Sequence, residues 1–157
     1  MKEIRTQIEI AAPAKTVWQT LTNFKAYAEW NPFITQIQGD IREGAKLSVL
    51  ISPPGGKAMK FTPKVIRVIP MREFRWLGRV LLPGLFDGEH IFEIEPIDSN
   101  RSRLVHREEF KGLLVPLVLK SIGDATKKGF ELMNEGIKKQ AEATFHQDKA
   151  PNIDSGR

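Results

Sequence analysis

The chain has 157 residues, which fits one ordinary domain, and its 41% hydrophobic and 27% charged residues are typical of a folded, soluble protein. It contains no cysteine, so disulfides, thiolate zinc sites and cysteine nucleophiles are excluded. The formal net charge of +5 comes from basic residues interleaved with acidic ones along the whole chain, without a basic block that carries aromatic residues for base stacking. Nucleic-acid binding is therefore not expected, and weak attraction to anionic membrane surfaces is the more plausible consequence of the charge.

No apolar leader precedes the first predicted strand, and no segment approaches the roughly 20 apolar residues that a membrane-spanning helix needs. The longest apolar run, 113–119, is far too short and contains Pro116. We therefore expect a cytoplasmic protein without stable membrane insertion.

The first predicted element is a half-buried strand over residues 2–10, where apolar and polar residues alternate. Pro13 suits the first turn of a helix, where its missing N–H is not needed. Val17 and Leu21 follow at helical spacing. A second short helical segment should end at Asn31, because the residue before a proline avoids the helical conformation.

Six further strands are predicted between residues 34 and 111, separated by turn-forming combinations of glycine, proline, aspartate, serine and asparagine. No helix-length segment lies between them. Because parallel neighbours need long crossover connections, these strands should pair as antiparallel hairpins. The predicted strands cover residues 34–41, 45–52, 57–69, 72–79, 89–97 and 101–111.

From Leu114 to about Thr144 the apolar period becomes helical. A sheet with one apolar face must cover it, and this is the only long amphipathic segment available. We therefore predict an α+β fold in which a curved antiparallel sheet of about seven strands wraps around one long C-terminal helix. The domain should span residues 1–145, followed by a polar, disordered tail over 146–157.

Several short motifs follow one another along the chain. They are Ile10-Ala11-Ala12-Pro13 before Val17-Trp18, Trp30-Asn31-Pro32-Phe33, Pro83-Gly84-Leu85-Phe86-Asp87-Gly88-Glu89-His90, Glu108, Phe110-Lys111-Gly112-Leu113-Leu114 and Gly129-Phe130-Glu131-Leu132-Met133-Asn134. This ordered set resembles the START-like superfamily, also called SRPBCC, Bet v 1-like or helix-grip, and within it the bacterial polyketide cyclase/dehydrase and lipid-transport branch. The resemblance covers roughly residues 3–143 and implies a helix-grip fold with two short helices after the first strand. Its relatives include lipid carriers, plant hormone receptors, polyketide aromatase/cyclases, chaperone-activating domains and quinone-binding proteins, so the fold does not decide the function.

Side-chain alternation on the last two predicted strands directs polar groups toward the helix. His90 faces inward with Phe92, and His106 and Glu108 face inward with Phe110. A hairpin with a three-residue loop would place His90 directly opposite Glu108. These groups are either buried and satisfied by neighbouring hydroxyls or waters, or they orient a ligand's polar end, or they act in acid–base catalysis. A metal site would lack any recognised ligand spacing, so neither a metal nor a cofactor is expected.

Glycines interrupt the long predicted helix, each at a cost of roughly 1 kcal/mol relative to alanine. Gly129 and Gly136 lie two turns apart on one face, and they either leave space for a ligand or let the helix pack closely on the sheet. The large aromatic residues predicted to face inward likewise have two interpretations: they either pack in the core or form the wall of a cavity. The predicted cavity residues are Trp30, Phe33, Phe74, Trp76, His90, Phe92, His106, Glu108, Phe110, Gly129, Phe130 and Met133.

The connection over residues 81–86 is apolar, although it should lie on the surface. We interpret it as a lid over the cavity mouth, because it leads directly to His90. A homodimer contact and a membrane-touching tip are the alternatives. The predicted lid residues are Leu81, Leu82, Leu85 and Phe86.

The leading functional hypothesis is binding, with carriage as an extension, of a hydrophobic small molecule such as a lipid, a quinone or a polyketide-like aromatic. The second hypothesis is a cyclase or dehydratase that uses His90, His106 and Glu108 for proton transfer. The third is a protein-interaction module with a vestigial cavity. An enzyme needs a base within hydrogen-bond reach of its substrate, whereas a carrier needs only shape and one anchoring contact.

Overall fold

The computed structural model describes residues 1–150, which form eight β-strands and three α-helices. The helices are α1 (Ala14–Thr22), α2 (Tyr27–Trp30) and α3 (Val115–Lys149), with a turn of 3-10 helix at Phe24–Ala26. The strands are β1 (Lys2–Ile10), β2 (Ile34–Gln38), β3 (Ser48–Ile51), β4 (Met59–Phe61), β5 (Lys64–Ile69), β6 (Glu73–Val80), β7 (Phe86–Asp98) and β8 (Arg101–Lys111). Within residues 1–150, no helix combines the length and the apolar character needed to cross a membrane.

The strands form a larger antiparallel sheet of order β1-β8-β7-β6-β5 and a smaller one of order β2-β3-β4. A bridge between Lys46 and Lys64 joins them, next to a backbone hydrogen bond from Leu47 N to Pro63 O of 2.9 Å. The predicted strand over 57–69 is wrong as a single element, because Pro63 has no N–H and cannot continue a ladder. Residues 1–150 therefore contain eight strands, where about seven were predicted.

Helix α3 packs on the concave face of the curved sheet, in contact with β1 and β8. Its residues Phe130, Met133, Ile137 and Ala141 are fully buried there. Short helices follow the first strand. The predicted α+β helix-grip fold is confirmed.

Helix α3 is longer than predicted and continues to Lys149. The prediction of disorder from residue 146 is therefore wrong for 146–149. Lys149 Nζ donates a hydrogen bond to Asn100 Oδ1 at 3.3 Å and lies 4.3 Å from the ring centre of Phe145, which holds this end of the helix against the hairpin turn. The remainder of the predicted tail, 151–157, lies outside the described residues.

The hairpin formed by β7 and β8 has the predicted register, with His90 directly opposite Glu108. Its turn is tighter than predicted, because Asp98 pairs with Arg101 and a bulge absorbs the difference within the hairpin. The bulge sits at the turn, far from the polar pair, so side-chain parity at His90 is unaffected.

The outer face of the larger sheet carries cross-strand ion pairs. Arg107 contacts Glu93 and Glu3 at 3.1 Å each, and Arg103 contacts Glu95 at 3.2 Å. The hydrogen bond from Arg107 holds the pKa of Glu93 below its ordinary value. Such pairs each contribute a few tenths of a kcal/mol to the free energy of unfolding. Their main effect is therefore to neutralise the charge of this face.

The glycines in the second half of α3 permit close packing. A Cβ atom at Gly129 would overlap the ring of Phe33, and one at Gly136 would lie 2.9 Å from the carbonyl oxygen of Trp30. Of the two predicted roles for Gly129 and Gly136, the structure supports close packing, and space for a ligand must arise elsewhere.

We expect opposite effects from two glycine-to-alanine changes in α3. A Cβ atom at Gly123 would meet only Leu119 Cβ at 4.0 Å, so Gly123→Ala should raise the free energy of unfolding by about 0.5–1 kcal/mol through helix propensity. Gly129→Ala should lower it by about 1–3 kcal/mol, because the Phe33 ring must move. Urea unfolding of both variants measures the difference. Equal stabilisation by the two changes would contradict the contact between Phe33 and the helix.

Candidate functional site

A cavity of about 310 Å³ lies between the first half of α3, the β6–β8 region of the larger sheet and the smaller sheet. This volume is near the lower end of the range of roughly 300–1,000 Å³ that is usual for small-molecule sites. Gly55, Gly56 and Met59 line its outer part and are exposed, so the cavity opens to solvent between the β3–β4 connection and the helix.

Five of the twelve predicted cavity residues line the cavity. They are Phe33, Trp76, His90, Glu108 and Phe110. The other seven do not line this cavity, and contact between them and a ligand stays a prediction. These are Trp30, Phe74, Phe92, His106, Gly129, Phe130 and Met133.

Small residues create the cavity. Gly78 and Gly88 lie directly opposite each other on β6 and β7, which removes two side chains from the inner face of the sheet. Ser121 and Ala125 on α3 face the same space. The sequence analysis missed all four, although the opposed glycines inside otherwise regular strands were a usable signal, since a strand glycine often marks close approach of a ligand.

The β3–β4 connection also belongs to the site and was interpreted only as a turn. Pro53, Pro54, Gly55 and Gly56 line the cavity, together with Met59 at the start of β4. Apolar residues of the smaller sheet continue this wall. They are Val49, Ile51, Phe61 and the neighbouring Pro63.

The predicted lid is anchored on one side. The backbone N–H groups of Leu113 and Leu114 donate to the carbonyl oxygens of Gly84 (3.1 Å) and Leu85 (2.9 Å). A Cβ atom at Gly112, whose φ is 136°, would overlap the Leu85 carbonyl, so only glycine permits this approach.

Of the four predicted lid residues, only Phe86 lines the cavity. Leu85 is partly buried, and Leu81 and Leu82 point into solvent. Closure of this loop over a ligand stays a prediction.

The polar floor of the cavity is the pair formed by His90 and Glu108. His90 is 2% exposed and Glu108 is 18% exposed at the side chain, and His90 Nδ1 lies 3.6 Å from Glu108 Oε2. This distance is too long for a direct hydrogen bond. The carboxylate lies over Gly88, where a side chain would displace it. Glu108 is therefore accessible from the cavity while His90 is buried behind it.

A buried hydrogen-bond chain continues behind His90. Its Nε2 lies 2.6 Å from Nε2 of His106, and Nδ1 of His106 lies 2.9 Å from Oδ1 of Asn134. The Asn134 amide nitrogen donates to the Thr6 hydroxyl at 2.8 Å, and that hydroxyl donates to the His106 carbonyl at 2.9 Å. Burial, followed by the effect of His90, holds the pKa of His106 well below its ordinary value, so His106 is neutral.

The chain has only one consistent direction. The His106 carbonyl can only accept, so the Thr6 hydroxyl donates to it and accepts from the Asn134 amide nitrogen. Asn134 Oδ1 therefore accepts from His106 Nδ1, which leaves Nε2 of the neutral ring as an acceptor for the N–H of His90. His90 Nδ1, the other ring nitrogen, then faces the Glu108 carboxyl group.

The rest of the cavity wall is largely apolar, with Ser121 and Thr126 of α3 as its other polar side chains, and no lysine or arginine lines it. Within residues 1–150, no cluster of three or more histidine, aspartate or glutamate side chains is arranged to hold a metal ion. The site can therefore accept an apolar body and offer the Glu108 carboxyl group, with the His90 imidazole beside it, at its inner end.

Comparison with known proteins places the chain among helix-grip proteins. One structural neighbour is the ZhuI aromatase/cyclase from Streptomyces sp. R1128, with a TM-score of 0.74 and 15% identity over 90% of this chain and 93% of that one. Norcoclaurine synthase from Thalictrum flavum in complex with dopamine and hydroxybenzaldehyde has a TM-score of 0.66 and 17% identity over 88% and 84%. A START superfamily protein from Mycobacterium smegmatis has a TM-score of 0.64 and 21% identity over 92% and 97%.

No curated protein matches the sequence. The structural neighbours are too distant in sequence to show more than the fold. The family model described as "Polyketide cyclase / dehydrase and lipid transport" matches residues 1–142, which is nearly the whole described chain. The chain therefore belongs to the polyketide cyclase/dehydrase and lipid-transport family.

Proposed function

We propose that this protein binds a neutral, largely apolar small molecule in the cavity, with a hydroxyl group of that molecule at Glu108. The observation that carries the proposal is an apolar cavity whose one polar floor is a carboxylate next to a histidine. Apolar pockets with a few convergent polar groups are typical ligand sites. The family description includes lipid transport, and a neighbouring structure holds two small phenols, dopamine and hydroxybenzaldehyde.

Electrostatics favours a neutral ligand over an anionic one. No lysine or arginine lines the cavity, and the one acidic side chain on its wall is Glu108. A carboxylate or phosphate inside would lie beside Glu108 without a cation to compensate, and burial strengthens that repulsion. A hydroxyl or phenol can instead donate to the Glu108 carboxylate.

Filling the cavity should abolish ligand binding. Ala125 lines the cavity, whereas Ala143 is exposed on the same helix. We expect Ala125→Leu to weaken binding of 2-naphthol by at least about tenfold, because the added methyl groups occupy the ligand's volume, and Ala143→Leu to leave it unchanged. Isothermal titration with 2-naphthol tests this, together with native mass spectrometry for a co-purifying molecule. Equal affinity in both variants would mean that 2-naphthol binds elsewhere, and no binding to the wild type would count against the proposed function.

Charge should decide between ligands of similar size. At neutral pH we expect 2-naphthol to bind at least about tenfold more tightly than the anion of 2-naphthoic acid, because only the anion is repelled by Glu108. Glu108→Gln should narrow this preference by relieving the repulsion. Parallel titrations of both molecules against both proteins measure it. A tighter complex with 2-naphthoate in the wild type would refute the assignment of a neutral ligand.

A second candidate function is acid–base catalysis on such a molecule, and the directed hydrogen-bond chain favours it. His106, Asn134 and Thr6 orient the His90 ring so that its Nδ1 faces the Glu108 carboxyl group. A group that can both give and take a proton at a cavity floor is what cyclisation or dehydration needs. Loss of turnover in Glu108→Gln with 2-naphthol binding retained would distinguish an enzyme from a carrier.

The neutral state of His106 predicts a pH dependence of stability. The unfolded chain binds a proton at this histidine below about pH 6.5, and the folded chain does not until a much lower pH. The free energy of unfolding should therefore fall as pH decreases below about 6.5, by up to about 1.4 kcal/mol per pH unit from this group. His106→Gln should remove this part of the slope, and His146→Gln, at an exposed site in the last turn of α3, should keep it. Urea titrations between neutral and mildly acidic pH measure the slopes, and identical slopes in His106→Gln and wild type would show that His106 is already protonated in the fold.

A further inference from the structure

Four exposed leucines lie near the cavity, two in the loop that follows β6 and two around the start of α3. Leu113 is 80% exposed, Leu81 76%, Leu117 71% and Leu82 69%. The hydrogen bond from Leu113 N to the Gly84 carbonyl fixes the loop against the start of α3, and Leu117 lies one helical turn after Leu113. We call these four residues the leucine rim.

The leucine rim is continuous with the cavity. Val80 is 37% exposed and pairs with Phe86 across the strands, and both line the cavity, as do Met59 and Ile122. Leu81 adopts a φ of 66°, a conformation that is unfavourable for leucine. The backbone conformation therefore does not explain why a leucine occupies this position. A contiguous exposed apolar surface of this kind marks an interaction site rather than ordinary surface.

Positive charge surrounds the leucine rim. Lys57 and Lys60 flank Met59 on one side of the mouth, Arg79 and Lys111 lie on the strands that border it, and Lys120 lies one turn beyond Leu117. All five are exposed. Among the acidic residues nearby, Asp87 lies 3.8 Å from Arg79 and opposite Lys111 in the strand register. Glu109 contacts Arg107, and Asp124 lies one turn after Lys120.

The lysines of this group are not paired as the arginines of the outer sheet face are. Arg75, Arg103 and Arg107 each contact a carboxylate there. The lysines that form ion pairs within residues 1–150 are Lys128 and Lys138, both further along α3, and none of the pairs involves a lysine of the mouth. The mouth is thus the part of the described surface where exposed leucines and uncompensated lysines coincide.

We propose that the leucine rim and its lysines dock on an anionic lipid bilayer, with the cavity mouth facing the membrane. The leucines enter the boundary between headgroups and acyl chains, and the lysines bind acidic headgroups. An apolar ligand then passes between bilayer and cavity without crossing water. A second copy of the chain fits this surface poorly, because a two-fold contact would set lysines against lysines.

The proposal makes separate statements about charge and about apolar contact. Each lysine near an anionic surface strengthens binding by about fivefold, so reversal of two should weaken it by at least about tenfold. Binding must also fall as ionic strength rises, because the attraction of exposed charges is screened. Loss of two leucines should weaken binding at any ionic strength, since burial of apolar side chains is not screened by salt.

Vesicle co-sedimentation tests these statements, using phosphatidylcholine vesicles and vesicles of phosphatidylcholine mixed with phosphatidylserine. Wild-type protein should bind the mixed vesicles and bind the zwitterionic ones weakly. The double variant Lys111→Glu/Lys120→Glu should lose the preference for phosphatidylserine, and Leu82→Ser/Leu117→Ser should bind both vesicles more weakly. Lys15→Glu/Lys139→Glu makes the same charge change at exposed positions of α1 and α3 outside the cavity lining, and it should bind like wild type.

All substituted side chains are exposed, and circular dichroism should show unchanged folding. No binding of wild type to either vesicle overturns the proposal. Equal losses in the Lys111/Lys120 and Lys15/Lys139 variants overturn it as well, because they would reflect net charge alone. A concentration-dependent dimer abolished by Leu82→Ser/Leu117→Ser assigns the leucine rim to a second copy of the chain. Retained vesicle binding with failed 2-naphthol binding would remove the proposed function and leave this proposal intact.

Discussion

The hydrogen bonds of Asn134 are the constraint on which the arrangement of this protein depends. This one amide, in the middle of α3, bonds His106 on β8 and Thr6 on β1, so it connects the helix to the two strands beneath it. A buried amide without both partners would cost several kcal/mol, so helix position, strand position and imidazole orientation are set together. The second half of the helix is consequently held close to the sheet, and Phe33 and Trp30 close over it at Gly129 and Gly136.

Helix α3 divides into two halves with different roles. After residue 129 it is packed densely, with side chains such as Met133 and Ile137 fully buried. Before that point it carries the small residues Ser121 and Ala125 and partly exposed neighbours. The opposed glycines Gly78 and Gly88 of β6 and β7 likewise place no side chain on the facing part of the sheet. The cavity is thus a result of missing side chains on both facing elements, and its polar floor marks the boundary between the halves.

The fold could be predicted from the sequence because strand parity and helical period are local properties. The same parity correctly placed His90 opposite Glu108, since the bulge near Pro96 lies beyond the pair. The cavity was located less well. Whether a glycine leaves space depends on what faces it across the core, so Gly129 was assigned to a space that Phe33 fills, while Gly88 passed unnoticed. The hydrogen-bond chain through Thr6 joins residues 128 positions apart, and no local pattern shows such a contact.

The anchoring of the 81–85 loop has a mechanical consequence. Its carbonyl groups at Gly84 and Leu85 are the acceptors for the amides of Leu113 and Leu114, immediately before the first residue of α3. A helix start needs acceptors for its free N–H groups, so the loop serves as a cap as well as a border of the mouth. The loop cannot swing away without leaving those amides unpaired and loosening the first turn of the helix. Movement of the loop away from the cavity and fraying of the first turn of α3 therefore occur together, as one cooperative transition.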